Sequence, residues 1–270
     1  MLRTRVVTAL IITSIGLAAV FLLPGPGFAA FATLILLALG GWEGARLGGL
    51  DRAPARAVYT LALVALGGLV YWLHDPAFIV AWLLPGCLAW VGFLAWLARP
   101  ALGAAPRPAN HACKLLVVAL ILLTGWLALV WLQATSPWLV LLLLVVIAAA
   151  DVGAYFTGRR LGGPKLAPSI SPGKTRSGAV GGLFAAMLAT SIAAVFLPGS
   201  PFPPLLAGAL ALGLAAISIG GDLFVSLLKR QRQLKDTSDL LPGHGGILDR
   251  FDSIGAAAPV FALAVAVLGQ

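Results

Sequence analysis

Residues 204–230 read PLLAGALALGLAAISIGGDLFVSLLKR, an apolar run from Pro204 to Leu228 broken only by Asp222 and closed by Lys229-Arg230. A helix rises 1.5 Å per residue, so about 20 such residues cross the roughly 30 Å hydrocarbon core of a bilayer. The stretch therefore predicts a membrane-spanning helix. Working outward with the same ruler gives nine runs: Val6–Leu23, Phe28–Trp42, Ala57–Leu73, Ala77–Ala98, Leu115–Gln133, Pro137–Phe156, Ala179–Leu197, Pro204–Leu228 and Ile254–Leu268. The second and ninth are short enough to be tilted, re-entrant or packed behind others. The fold class that follows is an all-α polytopic membrane protein with about nine transmembrane helices.

Composition agrees. Hydrophobic residues make up 60% and charged residues 10%, against about a quarter charged in soluble domains, and the mean hydropathy is +1.02. The net charge of +9, from 18 basic and 9 acidic residues, invites a nucleic-acid reading. In so apolar a chain, however, basic residues sit in loops beside anionic lipid headgroups, so the partner is the lipid bilayer and no nucleic acid. Cys87 and Cys113 show neither metal-ligand spacing nor a disulfide framework and read as small core residues. Arg3 and Arg5 before an apolar stretch also describe a signal peptide with Ala30-Phe31-Ala32 as its cleavage site. The length of the first run and the spans that follow it favour a true span.

Parity tests the segmentation independently. With the N-terminus in the cytoplasm, the even-to-odd connections carry Arg46, Arg52, Arg56, Arg99, Arg107, Lys114, Arg159, Arg160, Lys165, Lys174, Arg176, Lys229, Arg230, Arg232, Lys235 and Arg250. Together with Arg3 and Arg5 these are all 18 basic residues. The positive-inside rule then predicts N-terminus in and C-terminus out, in the inner (plasma) membrane of the cell.

The chemistry gathers in residues 137–270, read as a catalytic membrane domain behind an N-terminal scaffold of residues 1–136. Two long cytoplasmic segments, Thr157–Gly178 and Lys229–Ser253, are rich in Gly, Pro, Lys, Arg and Asp, and connections of that length are usually functional. Each follows a carboxylate within an apolar run, Asp151 and Asp222. An ionisable group at that depth is a functional hypothesis by default, with helix capping or pairing to a loop Arg as the plain alternative. The two glycines before Asp222 remove bulk where another group can approach closely.

The first segment offers backbone N–H groups at its glycines, hydroxyls at Ser171 and Thr175, and positive charge at Lys165 and Lys174, the ingredients of a phosphate cradle. Gly173-Lys174-Thr175 is not a Walker A loop, because Pro168 stands where its first Gly belongs and no strand precedes it. The second segment places Asp249 and Asp252 three apart, on one face of a starting helix, with Lys235, Asp236, His244 and Arg250 close by. Capping explains the two acids equally well. A hard cation such as Mg²⁺, held by a few carboxylates and by nucleotide phosphates, also accounts for acids and bases lying together.

Taken in order, Ser226, Lys229-Arg230, Lys235-Asp236, Ser238, Leu241, His244-Gly245-Gly246 and Asp249-Arg250-Phe251-Asp252 keep the spacing of the C-terminal motif of the phosphatidate cytidylyltransferases, or CDP-diacylglycerol synthases, which the chain resembles over roughly residues 137–253. The upstream block from Asp151 to Gly182 is similar to that family's Gly-rich loop. One departure is Arg176-Ser177, where the family usually has Trp-Glu.

The resemblance implies transfer of a cytidylyl group from CTP to phosphatidate, giving CDP-diacylglycerol and pyrophosphate for phospholipid synthesis. It implies Mg²⁺, with room for a second cation, on Asp222 and Asp249, with Asp252 and Asp151 as further ligands. Lys165, Ser171, Lys174 and Thr175 then meet CTP or pyrophosphate. Lys229, Arg230, Lys235, His244 and Arg250 shape the nucleotide or lipid-phosphate site. An anionic-solute transporter and a CTP-dependent lipid kinase are the competing readings. A CDP-alcohol phosphotransferase is disfavoured, because its motif needs an Asp-Gly pair that this chain lacks. The small-residue face of Gly208, Ala211 and Ala215 is either a homodimer seam or internal packing.

Overall fold

The computed structural model describes residues 2–269, with side chains from Val6 onward. The side chains of Arg3 and Arg5, counted in the charge asymmetry, and the terminal Gln270 lie outside the described residues. Among those described, nine helices follow in order: α1 (Leu2–Leu22), α2 (Gly25–Leu47), α3 (Ala53–Leu73), α4 (Pro76–Leu97), α5 (Pro108–Thr135), α6 (Pro137–Leu161), α7 (Arg176–Phe196), α8 (Pro204–Gln231) and α9 (Leu248–Leu268). A two-stranded antiparallel hairpin, β1 (Lys165–Ala167) and β2 (Ser171–Thr175), lies between α6 and α7. Eight of the helices are long and apolar enough to cross a bilayer, and α1 adds the apolar stretch Val6–Leu22. The chain is a multi-pass helical membrane protein.

Proline sits in the first turn of α2, α3, α4, α5, α6 and α8, where its missing N–H has no intrahelical partner to lose. The second and ninth spans are not short. α2 runs on through Glu43 to Leu47 over 23 residues, and α9 opens at Leu248 and covers 21. Hydropathy truncated both because Glu43, Asp249 and Asp252 interrupt the apolar pattern. These acids are buried on protein partners, which allows a helix to continue through them. The two long segments shrink to residues 162–175 and 232–247, because α6 runs on to Leu161, α7 opens at Arg176, α8 ends at Gln231 and α9 opens at Leu248.

α5 runs through the middle of the bundle, burying Val118, Ile121, Leu122 and Trp126, and α9 packs against α5, α4 and α8. Between α4 and α8, Phe93 stacks on Phe224 at 5.0 Å, with Trp90 and Trp96 edge-on to Phe224. Leu10, Leu61, Phe184 and Leu188 are exposed on α1, α3 and α7, as lipid-facing side chains require. The stripe Gly208, Ala211 and Ala215 packs inside the chain. A Cβ on Gly208 would stand 2.1 Å from Ser191 Oγ of α7, and both alanines are fully buried. It serves internal packing. Cys87 is half-buried, whereas Cys113 is exposed on α5 and is not a core residue; it borders a shallow apolar groove with Phe93 and Leu116.

Three side-chain ties gather four connections at one end of the bundle. Arg232 pairs with Asp51 at 2.6 Å, Gln231 Nε2 donates to the carbonyls of Pro100 and Leu102, and Arg230 Nε donates to Ile170 O at 3.2 Å. The connections 48–52, 98–107, 162–175 and 232–247 therefore share one end, the arrangement that parity required.

Candidate active site

The site begins with the close approach of α8 and α9. A Cβ on Gly221 would stand 2.6 Å from both Ala256 Cβ and Asp252 O, so only glycine allows this contact. Ser253 Oγ adds a bond to Ser218 O. The resulting antiparallel register sets Asp252 alongside Asp222, and Asp249 about one turn closer to the loop, alongside Lys229. Asp222 lies nine residues before the end of α8, about 14 Å down the helix axis.

Asp222 is one-third exposed. Its Oδ2 pairs with Lys174 Nζ at 2.5 Å, and its Oδ1 accepts a long bond from Ser226 Oγ at 3.3 Å. Lys174 comes from β2, and the hairpin is fastened at its base. Arg176 N donates to Pro164 O, and the Thr175 hydroxyl caps α7 by accepting from Gly178 N at 3.1 Å. Ser177 Oγ donates to Gly162 O and lies 3.1 Å from Thr175 Oγ1. Ser177 is thus a clasp at the base of the loop. Asp151, within α6, interacts electrostatically with Lys174, Asp222 and Arg250, as Asp252 does with Asp222, Lys229 and Arg250.

Asp249 is buried and holds three N–H donors and a share of the Thr237 hydroxyl. Oδ1 pairs with Lys229 Nζ at 2.6 Å, with side-chain exposures of 10% for Lys229 and 3% for Asp249. Oδ2 accepts from Thr237 N at 2.8 Å, Thr237 Oγ1 at 2.9 Å and Gly246 N at 2.9 Å. Asp249 therefore does not cap its own helix. That task falls to Glu43 of α2, whose carboxylate accepts from Ile247 N at 3.0 Å and Leu248 N at 2.8 Å. Asp252 Oδ1 accepts from the adjacent Ser253 N.

Two cavities flank these carboxylates. One, of about 670 Å³, is lined by Asp151, Tyr155, Lys165, Lys174, Thr175 and Asp222 among apolar neighbours. The other, of about 440 Å³, is polar and lined by Lys235, Asp236, His244 and Arg250 with the loop backbone. His244 Nδ1 is buried there without a hydrogen-bond partner, an orphan of the kind that calls for an explanation such as a ligand.

The expected site residues therefore come together at one end, but in two groups. Asp151, Asp222, Lys165, Lys174 and Thr175 line the first cavity, and Asp252 is buried outside that lining. Asp249 and Lys229 form a buried pair one turn away, and Lys235, His244 and Arg250 line the second cavity. Arg230 spends its guanidinium on the carbonyls of Ile170 and Leu234. Ser171 opens β2 opposite Ala167 and is not among the lining residues. Sequence reasoning missed Glu43 and Thr237. Glu43 carries a signal similar to that of Asp222, a carboxylate within an apolar run close behind a Gly-Gly pair, Gly40-Gly41-Trp42-Glu43, although Trp42 separates it from the glycines. Thr237 has no signature of its own.

Against known proteins, the sequence profile of the Cytidylyltransferase family matches residues 3–268. The phosphatidate cytidylyltransferase of Pseudomonas aeruginosa is 39% identical over 97% of this chain and 96% of its own length. That of Brucella suis is 34% identical over 100% of this chain and 95% of its own. That of Haemophilus influenzae is 45% identical over a shorter stretch, 46% of this chain and 44% of its own.

Proposed function

The chain belongs to the cytidylyltransferase family, and on that footing we propose that it transfers the cytidylyl group of CTP to phosphatidate, forming CDP-diacylglycerol and pyrophosphate. A phosphate oxygen of the lipid attacks the α-phosphorus of CTP. The bond from that phosphorus to the α–β bridging oxygen breaks, and pyrophosphate leaves with the electron pair. A phosphomonoester has its second pKa near 6, so no strong general base is needed. Catalysis rests on holding the two phosphates in line and neutralising charge at the α-phosphate.

The observation that carries this reading is the pair of cavities beside the Asp222–Lys174 and Asp249–Lys229 pairs, the larger with Lys165 and Lys174 set among apolar walls and the other polar. Lys165, Lys174 and Thr175, on the hairpin with Ser171, meet CTP or its pyrophosphate. Lys229, Arg230, Lys235, His244 and Arg250 shape the nucleotide and lipid-phosphate site. Residues 137–270 serve as the catalytic domain on the scaffold of residues 1–136, to which Glu43 nonetheless contributes a contact. The polar end faces the cytoplasm of the inner membrane, where CTP is dissolved and phosphatidate lies in the adjoining leaflet.

Asp222 and Asp249 would hold Mg²⁺ by each exchanging its lysine for the ion; Asp222 fits this directly, since it lines the larger cavity beside Lys174, whereas Asp249 is 3% exposed on Lys229 and lines neither cavity. Each turns one oxygen toward a lysine ammonium, Asp222 Oδ2 and Asp249 Oδ1, and those are positions that a cation can take. Among the described residues no group of three or more His, Cys, Asp or Glu is arranged to enclose a metal. Mg²⁺ commonly binds through one or two carboxylates with substrate phosphates completing the shell. When bound it would supply positive charge to the phosphate oxygens. Oδ2 of Asp249, fixed by two N–H donors and a share of the Thr237 hydroxyl, keeps the other oxygen aimed.

Labelled CTP tests the reaction. Incubating the purified chain in phosphatidate-containing vesicles with CTP labelled at the α or the γ position should place the α label in lipid. γ label in lipid means a kinase, and label in neither lipid fraction refutes group transfer.

A further inference from the structure

Glu43 lines neither cavity and comes from the part of the chain expected to be scaffold, yet it is only 2% exposed and fully engaged. Its Oε1 accepts from Ser238 Oγ at 2.6 Å and Ile247 N at 3.0 Å. Its Oε2 accepts from Thr237 Oγ1 at 2.9 Å and Leu248 N at 2.8 Å. Those four contacts engage both carboxylate oxygens, three of them with donors of their own and the fourth with the Thr237 hydroxyl, whose one hydrogen is shared with Asp249. They come from both ends of the 236–248 loop, so a single side chain of α2 closes that loop.

Thr237 links this clamp to Asp249. Its hydroxyl lies 2.9 Å from Glu43 Oε2 and 2.9 Å from Asp249 Oδ2, with one hydrogen to donate between them. Three successive amides divide between the same two carboxylates, Gly246 to Asp249, and Ile247 and Leu248 to Glu43. There is no slack. A Cβ on Gly246 would stand 2.2 Å from Thr237 Oγ1 and 2.4 Å from Glu43 Oε2. Arg46, one turn after Glu43, adds a weak contact from its Nη1 to Thr237 O at 3.4 Å. A run of π-helix, Thr33–Leu39, precedes Glu43 in α2; such a wide turn shifts the phase of the residues after it.

We infer that Glu43 is a positioning residue for the reaction: from α2 it fixes the 236–248 loop and, through the Thr237 hydroxyl, holds the Asp249 carboxylate in place beside Lys229. The inference rests on the role proposed above for Asp249. Glu43 touches no reacting group and acts only through Thr237 and the amides of residues 247 and 248.

The test uses the full chain in lipid nanodiscs. Glu43→Gln keeps the shape but turns an amide N–H₂ toward groups that are themselves donors. Peptides covering residues 236–248 should then exchange amide hydrogens at least about tenfold faster, while peptides from the middle of α8 keep their wild-type rates. kcat/KM for CTP should fall at least tenfold and the Mg²⁺ activation midpoint should rise, with the thermal midpoint close to wild type. Thr237→Val should do the same, and the double variant should be little worse than the stronger single, because linked groups are not additive. Multiplicative losses would break the link through Thr237. Faster exchange with kcat, KM and the Mg²⁺ midpoint all within twofold of wild type would reduce Glu43 to a structural cap, and unchanged exchange would remove the clamp itself. If Glu43→Gln does not accumulate, Thr237→Val against Thr237→Ser reads the same link, with serine restoring the hydroxyl and therefore the rate. Asp249→Asn runs alongside. A wild-type Mg²⁺ response in that variant defeats the cation reading, whereas the clamp falls only on the exchange and turnover of the Glu43 and Thr237 variants.

Discussion

Replacing Lys229 with Met removes the ammonium from a pair whose members are 10% and 3% exposed and 2.6 Å apart. Methionine fills a similar volume, so the main effect is electrostatic. Breaking a buried ion pair by deleting one partner destabilises by about 3–5 kcal/mol, because the remaining charge stays buried without compensation. Asp249 keeps two N–H donors and a share of the Thr237 hydroxyl on Oδ2, which places the loss at the lower end of that range, about 3 kcal/mol. At roughly 2–4 °C per kcal/mol for chains of about this size, the thermal midpoint should drop by roughly 6–12 °C. Thermal unfolding of the purified variant in detergent, followed by size-exclusion chromatography, measures it. The sharper form adds Asp249→Asn: with no charge left to strand, the double variant should regain most of the stability of the native protein while remaining inactive. A single variant as stable as wild type, or a double variant less stable than the single, would refute the buried-pair reasoning.

Other expectations follow from the same contacts. Gly246→Ala forces a methyl group against Thr237 Oγ1 and Glu43 Oε2, and turnover should fall at least tenfold, about 1.4 kcal/mol of barrier; a rate within twofold would mean that the loop can shift freely. Restoring Trp-Glu at 176–177 should leave turnover within a few fold, since Ser177 serves as a clasp to Gly162 O and Thr175; a gain above tenfold would show that the natural loop is compromised. Reporters should locate the Arg99–Pro108 connection in the cytoplasm and a fusion after Gln270 outside it, and matching sides would break the nine-span topology.

Helix number and order were legible because they depend on apolar length, a property read locally. What hydropathy misplaced was the extent of α2 and α9, since each continues through carboxylates whose partners come from elsewhere in the chain. Asp222, Lys174 and Asp249 were legible as candidates, because acids and bases at membrane depth have few plain explanations. Their arrangement was not. The register that sets Asp252 beside Asp222 and Lys229 on Asp249 depends on how closely α8 and α9 approach at Gly221. Glu43 escaped notice because its donors are nearly two hundred residues away in sequence, and a lone acid at the end of an apolar run looks like a boundary.

The most direct test of the cation site is Mg²⁺ titration of Asp222→Asn and Asp249→Asn, each keeping shape and hydrogen bonding while losing one ligand charge. Each should lose at least about 10²-fold in rate, the scale for removing one preorganised electrostatic group, and should require more Mg²⁺ for half-maximal turnover. The double variant should lose far less than the product of the two, as groups acting as a unit do. Near-normal turnover and Mg²⁺ dependence in either folded single variant would contradict the assignment and leave that carboxylate a structural partner of Lys174 or Lys229.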